Sequence, residues 1–167
     1  MTPPPAALFD PHDVNLAGKE WGFNCGPGAL CLLLNLKPED VRPHMGDFET
    51  KGYTDPELMF SVLRSLGYTW EGLDTEWPEF GLARIQWAGP WTRPGVPKQD
   101  RLRHSHWIAS WRGQDGMSVG DVNATCVGGW VSFHEWHQLL VPWLLRDVEP
   151  EASGHWWPTH RLSLRKP

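Results

Sequence analysis

The sequence predicts an α+β fold, with helices first and an antiparallel sheet after them. Three observations carry that expectation. A strongly apolar run, Ala29 to Leu36, follows a glycine-rich turn. Leu58, Met59, Val62, Leu63 and Leu66 then recur at helical spacing. Beyond Gly81 the pattern changes to short apolar segments divided by glycine and proline, the signature of strands.

Residues 1–19 read as an extended arm beginning with a triple proline. A central helix is expected over residues 25–36, because leucines at 30, 32, 33, 34 and 36 cover most of its circumference. Lys37-Pro38-Glu39-Asp40 opens a short helix that stops near Pro43, and residues 46–52 form a polar loop. Thr54-Asp55-Pro56-Glu57 supplies a capping side chain, a first-turn proline and an acid, and Gly67 closes the helix that follows. A strand is expected at 82–87, a proline-rich loop at 89–97, and a hairpin from 106–111 to 117–122 around the turn Gly113-Gln114-Asp115-Gly116. Ser132-Phe133-His134-Glu135 has capping-box spacing before a helix from 133 to about 145, which Pro142 bends or ends. A last strand is expected at 159–165. No repeat or long linker divides the chain, so residues 1–167 read as one domain.

Composition bounds the function. With 15 Lys+Arg against 20 Asp+Glu the net charge is −5, and no basic block stands out, which argues against a nucleic-acid partner. Met1 to Asp10 lacks the features of a signal peptide, and no apolar run approaches the ~18–20 residues of a membrane span. A soluble, cytoplasmic protein without a membrane partner is therefore expected. Three cysteines, Cys25, Cys31 and Cys126, cannot all pair, which suggests free thiols in a reducing compartment. Tryptophan is heavily used, with 12 Trp against 2 Tyr and 6 Phe. Such residues fill cores or wall binding surfaces, and Trp21, Trp87, Trp91 and Trp107 are the candidates for a substrate cleft.

Within Trp21-Gly22-Phe23-Asn24-Cys25-Gly26-Pro27-Gly28, one cysteine sits at the start of the central helix. Backbone N–H groups and the helix dipole favour an anion there, which raises the thiolate fraction and makes Cys25 a candidate nucleophile. Gly26 and Gly28 are expected to keep the approach to the sulfur open. Such a nucleophile needs a base, and the base an orienting group. His106 opens a strand, and the hairpin places Asp121 on the neighbouring strand, with Asn123 as its rival for the orienting role. His104 shares a strand face with His106 and is the alternative base. A zinc site from His104, His106 and Cys126 has no supporting Cys-x-x-Cys or His-x-x-x-His pair, so neither a metal nor a cofactor is expected.

Asn24-Cys25-Gly26-Pro27, His106-Trp107-Ile108-Ala109 and Gly120-Asp121-Val122-Asn123, in that order, resemble the papain-like cysteine peptidase superfamily. The likeness spans about residues 20–125. It is closest to compact bacterial and phage members related to the bacteriocin-processing double-glycine peptidases. It implies a papain-like fold, with the Cys-bearing helix packed on the C-terminal antiparallel sheet. It also implies a Cys25–His106–Asp121 triad that cleaves a peptide or isopeptide bond in a peptide or protein substrate through a thioester. An acyl transferase or a catalytically impaired binding module using the same cleft are the alternatives. The superfamily usually has an oxyanion-donating glutamine six residues before the cysteine. Lys19 stands there and Glu20 follows, so the second donor is sought among Lys19, Trp21 and Gln86 beside the Cys25 N–H.

Overall fold

The computed structural model describes residues 4–123 and 129–165. The chain folds as α1 (Pro11–Trp21), α2 (Cys25–Leu34), α3 (Pro38–Val41), α4 (Phe48–Lys51), α5 (Pro56–Ser65), β1 (Thr69–Gly72), β2 (Phe80–Trp87), α6 (Lys98–Arg103), β3 (Ser105–Gly113), β4 (Gly116–Gly120), β5 (Trp130–Ser132), α7 (Phe133–Glu135), α8 (Val141–Trp143) and β6 (Trp156–Arg165). Turns of π-helix, Trp136–Leu140 and Leu144–Val148, join α7 to α8 and continue beyond it. The mixed α+β architecture expected from the sequence is present.

The six strands form one antiparallel sheet in the order β1-β6-β2-β3-β4-β5. β2 is central and buried along almost its whole length, because both faces of the sheet are covered. On one face Leu82, Trp107, Ala109 and Leu162 join the apolar residues of α1, α2, α3 and α5. On the other, Ala83, Ile85, Trp87 and Ile108 meet Trp136, Val141 and Leu144 from the C-terminal helical run. Alternation along β2 and β3 feeds the two cores in turn. Between Arg84 and Ile85 the pairing with β6 slips by one residue, a bulge that Thr159 occupies.

The segment expected as an arm is half helical. Asp10 caps α1 by accepting from the Asp13 N–H, Asp13 returns the bond, Pro11 fills the first turn and Gly22 ends the helix in the left-handed region. Those start signals lie beyond the triple proline, so the extended reading of residues 1–19 holds only for the part before α1. α2 ends two residues earlier than expected, at Leu34, where Asn35 adopts φ 56°. Pro142 does not end the C-terminal helix, since helical turns persist to Val148, in the wider π form on either side of it. β1, β5, α4 and α6 were not anticipated, and α4 occupies the segment expected as a polar loop. Two are three- or four-residue strands and the others short helices, too brief for periodicity to register.

The glycines of the Cys25 turn serve close packing. A Cβ on Gly26 would lie 2.1 Å from Thr54 Oγ1, and one on Gly28 would lie 2.3 Å from Val122 Cγ1. α2 is pressed against the segment before α5 and against the end of the β4 strand. This corrects the expectation that the glycines hold an approach to the sulfur open.

Gly28→Ala is therefore expected to destabilise the protein by about 1–3 kcal/mol, despite alanine's better helix propensity, because β-branched Val122 cannot retreat without moving Asp121 beside it. Urea unfolding checks this, and adding Val122→Ala should restore part of the loss.

Candidate active site

Cys25 is the first residue of α2. Asn24 caps the helix, its Oδ1 accepting from the Gly26 N–H (3.2 Å) while its Nδ2 donates to the Gly52 carbonyl (3.1 Å). The cap fixes the backbone around the sulfur and ties it to the loop before Thr54. As the first helical residue, Cys25 has no carbonyl one turn earlier to bond, so its N–H sits at the positive helix end.

His106 is the second residue of β3, paired with Ile85 of β2, on the face opposite α2. Its Nε2 donates to Asp121 Oδ2 at 2.8 Å, and Cys25 lies close enough for its thiol to act on the ring's charge. His106 is only 4% exposed and Asp121 is fully buried. Asp121 follows β4, where its N–H donates to the Gly129 carbonyl at 3.2 Å. Its carboxylate accepts two further bonds, from the Trp136 indole N–H to Oδ2 (2.8 Å) and from the Asn123 backbone N–H to Oδ1 (3.1 Å). Trp87 packs 5.9 Å from the His106 ring, centroid to centroid.

The electrostatics follow from this pairing. Burial disfavours a charged imidazole, but the fields of Asp121 and the Cys25 thiolate, with hydrogen bonds to both, raise His106 well above the usual histidine value. Burial likewise opposes ionisation of Asp121. The charge on His106 and the donors from His106, Trp136 and Asn123 nevertheless hold its carboxyl below the usual range. The arrangement therefore favours an imidazolium held against the Asp121 carboxylate. Cys31, by contrast, is buried in the apolar core, and desolvation pushes its thiol strongly up, so it stays protonated.

The triad opens on a cleft of about 190 Å³, lined by Asn24, Cys25, Tyr53, Thr54, Trp87, Arg103, His106, Trp107, Asn123 and Glu149 among others. Trp87 and Trp107 thus take the positions expected for cleft tryptophans. Trp107 is also anchored, its indole donating to the Thr54 carbonyl at 2.8 Å. Trp21 does not belong to the cleft. It is buried between Phe23 and Phe48, with the Arg42 guanidinium over its ring, because α1 folds as a helix and turns this face inward. Trp91 is also a core residue, donating to the Trp87 carbonyl (2.7 Å) and stacked on His104.

None of the candidate oxyanion side chains reaches the sulfur. Lys19 and Glu20 are exposed on the last turn of α1, and Glu20 faces Arg42 at 3.9 Å. Gln86 is buried on β2, its Nε2 donating to the carbonyls of Trp87, Arg101 and His104. It ties α6 to the sheet and has no donor left for a substrate. Asn123 lines the cleft and supports Asp121 through its backbone, while the carboxylate partner of His106 is Asp121 itself. His104, the alternative base, is engaged elsewhere, its Nδ1 2.9 Å from Glu149 and its ring on Trp91. Cys126 lies outside the described residues. Sequence reasoning missed Trp136, whose indole bonds the triad carboxylate from a helix that crosses the opposite face. The unusual tryptophan count was the only signal, and it named no position.

Trp136→Phe is expected to cost about 1.5–3 kcal/mol in urea unfolding, through the lost bond to a charged group, and to raise the Asp121 pKa. The His106–Asp121 pair also sets a pH signature. A raised histidine contributes fully below its unfolded value near 6.5 and loses that contribution as pH rises through its folded value. A lowered aspartate contributes above about 3.9 and loses it as pH falls through its own folded value. The stability advantage over Asp121→Asn should therefore be greatest between about pH 4 and 6.5 and shrink on both sides, as a series of urea titrations would show. The chain matches no protein-family model and no curated protein, so its function rests on the chemistry of these residues.

Proposed function

We propose that the protein is a thiol hydrolase of papain-like type, acting on an amide or isopeptide bond in a peptide or protein substrate. The observation that carries this reading is that Cys25, at the head of α2, and His106, bonded to the buried Asp121, line one cleft. In the first step the Cys25 thiolate attacks the substrate carbonyl carbon. The developing oxyanion meets the positive helix end and the Cys25 N–H. Collapse of the tetrahedral intermediate breaks the C–N bond, and the imidazolium of His106 gives its Nδ1 proton to the leaving amine. A thioester remains on Cys25. His106, now neutral, takes a proton from water as the water attacks that thioester, and the acid product leaves with the thiolate restored. Throughout, Asp121 stabilises the imidazolium and fixes its orientation, and Trp136 keeps Asp121 in place.

A second reading keeps the cleft and drops the turnover. It is favoured by one observation, that Lys19, Glu20 and Gln86 all lie away from the sulfur, which leaves the Cys25 N–H without a side-chain companion. In that case the cleft between Trp87 and Trp107 serves as a binding surface for a peptide or glycan.

Iodoacetamide separates the readings at their root. The hydrolase reading expects Cys25 to be alkylated faster than an ordinary exposed thiol at pH 6–7, and His106→Gln to bring the rate down to that of an ordinary thiol. An unaccelerated wild-type rate would sink the nucleophile. Against a cleavable substrate, Cys25→Ala should abolish turnover with folding intact, and Asp121→Asn should lower it ~10²–10⁴-fold. If Cys25→Ala kept its full biological effect, the binding reading would stand instead.

A further inference from the structure

Arg84 occupies an unusual position in the centre of the sheet. It lies on β2, opposite Trp107 of β3 and His160 of β6, on the face that the Cys25 helix covers. The residue is only 4% exposed. One guanidinium nitrogen, Nη1, donates to Thr159 Oγ1 at 2.9 Å, and Thr159 Oγ1 in turn lies 3.3 Å from the Arg84 carbonyl. Nε and Nη2 are buried with no hydrogen-bond partner, and among the described residues no carboxylate is paired with the group. A buried cation left this way is costly, by several kcal/mol in general, unless an anion offsets it.

The surrounding charges narrow the choice of anion. Burial pulls the Arg84 guanidinium below its usual value, and negative charge on Cys25 of α2 and on Asp55 at the start of α5 opposes that pull. Asp55 is already engaged, accepting from Lys51 Nζ at 3.2 Å and from the Leu58 N–H at 2.8 Å. His160 on β6 is no rival cation, because burial and the fields of Arg84 and Lys98 lower its pKa and keep it neutral. Trp107 on β3 carries no charge, and it joins the two regions, lining the cleft and bonding Thr54 beside Asp55. Lys51 is shared between Asp47 and Asp55, at 3.1 and 3.2 Å, which leaves Arg84 as a buried positive charge on the face of the sheet that α2 covers.

We infer that Arg84 is a positioning residue for the proposed chemistry: its guanidinium, buried without a bonded counter-ion, holds Cys25 in the anionic form through its field rather than by contact. The inference rests on Cys25 being the nucleophile. It also bears on the missing oxyanion side chain, since the same field favours the negative oxygen of the tetrahedral intermediate.

The test is the pH dependence of Cys25 alkylation by iodoacetamide, followed by peptide mass in the full chain. Arg84→Met should move the midpoint of the acid limb up by about one pH unit, making the reaction about tenfold slower on that limb, and Arg84→Lys should restore it. Thr159→Asp supplies a carboxylate to the guanidinium from an exposed position, so it should raise the midpoint with Arg84 still in place, whether or not Arg84→Met folds. Thr159→Val removes only the hydroxyl contact and should leave the midpoint unchanged. An accelerated wild-type thiol whose midpoint survives in folded Arg84→Met or Thr159→Asp overturns the role of Arg84 alone. So does a shift in Thr159→Val as large as in Arg84→Met. A wild-type thiol of ordinary reactivity overturns the nucleophile itself.

Discussion

The bond between His106 and Asp121 is the interaction on which the rest of the site depends. Both residues are removed from water, so neither charge is tolerable without the other. The pair is built across the sheet. His106 comes from β3, Asp121 from beyond β4, an indole that bonds the carboxylate comes from the helical run over one face, and the sulfur comes from the helix over the other. Each layer contributes one member. Loss of packing on either face would therefore reach the triad directly, and the close approach of Gly28 to Val122 makes that coupling tight.

Tryptophan serves two purposes here. Trp107 and Trp136 are fully enclosed, yet each spends its indole N–H on a specific acceptor, the Thr54 carbonyl and the Asp121 carboxylate. A phenylalanine would fill similar space without satisfying either acceptor. The high tryptophan count thus reflects a core that must also orient polar groups, with Trp87 and Trp107 forming buried walls of the cleft.

That Cys25, His106 and Asp121 would be brought together was legible in the sequence because each carries a local signal. Cys25 follows a capping Asn24 at the head of an apolar run, His106 opens a strand, and the Gly113–Gly116 turn brings Asp121 back toward it. What could not be read depends on packing between distant segments. Trp136 reaches Asp121 only because a helix of the C-terminal half folds over the sheet. Trp21 faces the core only because α1 is helical, although Asp10, Pro11 and Asp13 carried that helix's start signals. Gln86 sits on the strand beside the one bearing His106, as expected, but spends its amide on three carbonyls around α6. β1 and β5 have too few residues to alternate visibly, and partner strands define them.

The placement of β6 between β1 and β2 has a consequence for how the molecule comes into being. Thr69 pairs with Arg165, and Gly81 with Ser163, so the middle of the sheet is sealed by the segment made after all the other strands. Until Trp156–Arg165 leaves the ribosome, the edges of β1 and β2 stay open, and Arg84 lacks the hydroxyl of Thr159. Pairings this distant in sequence form slowly, and the unsealed intermediate offers bare strand edges to other chains. Cys25 is synthesised early and its surroundings late, so a nascent chain carries this cysteine for most of its synthesis before the sheet beneath it can close.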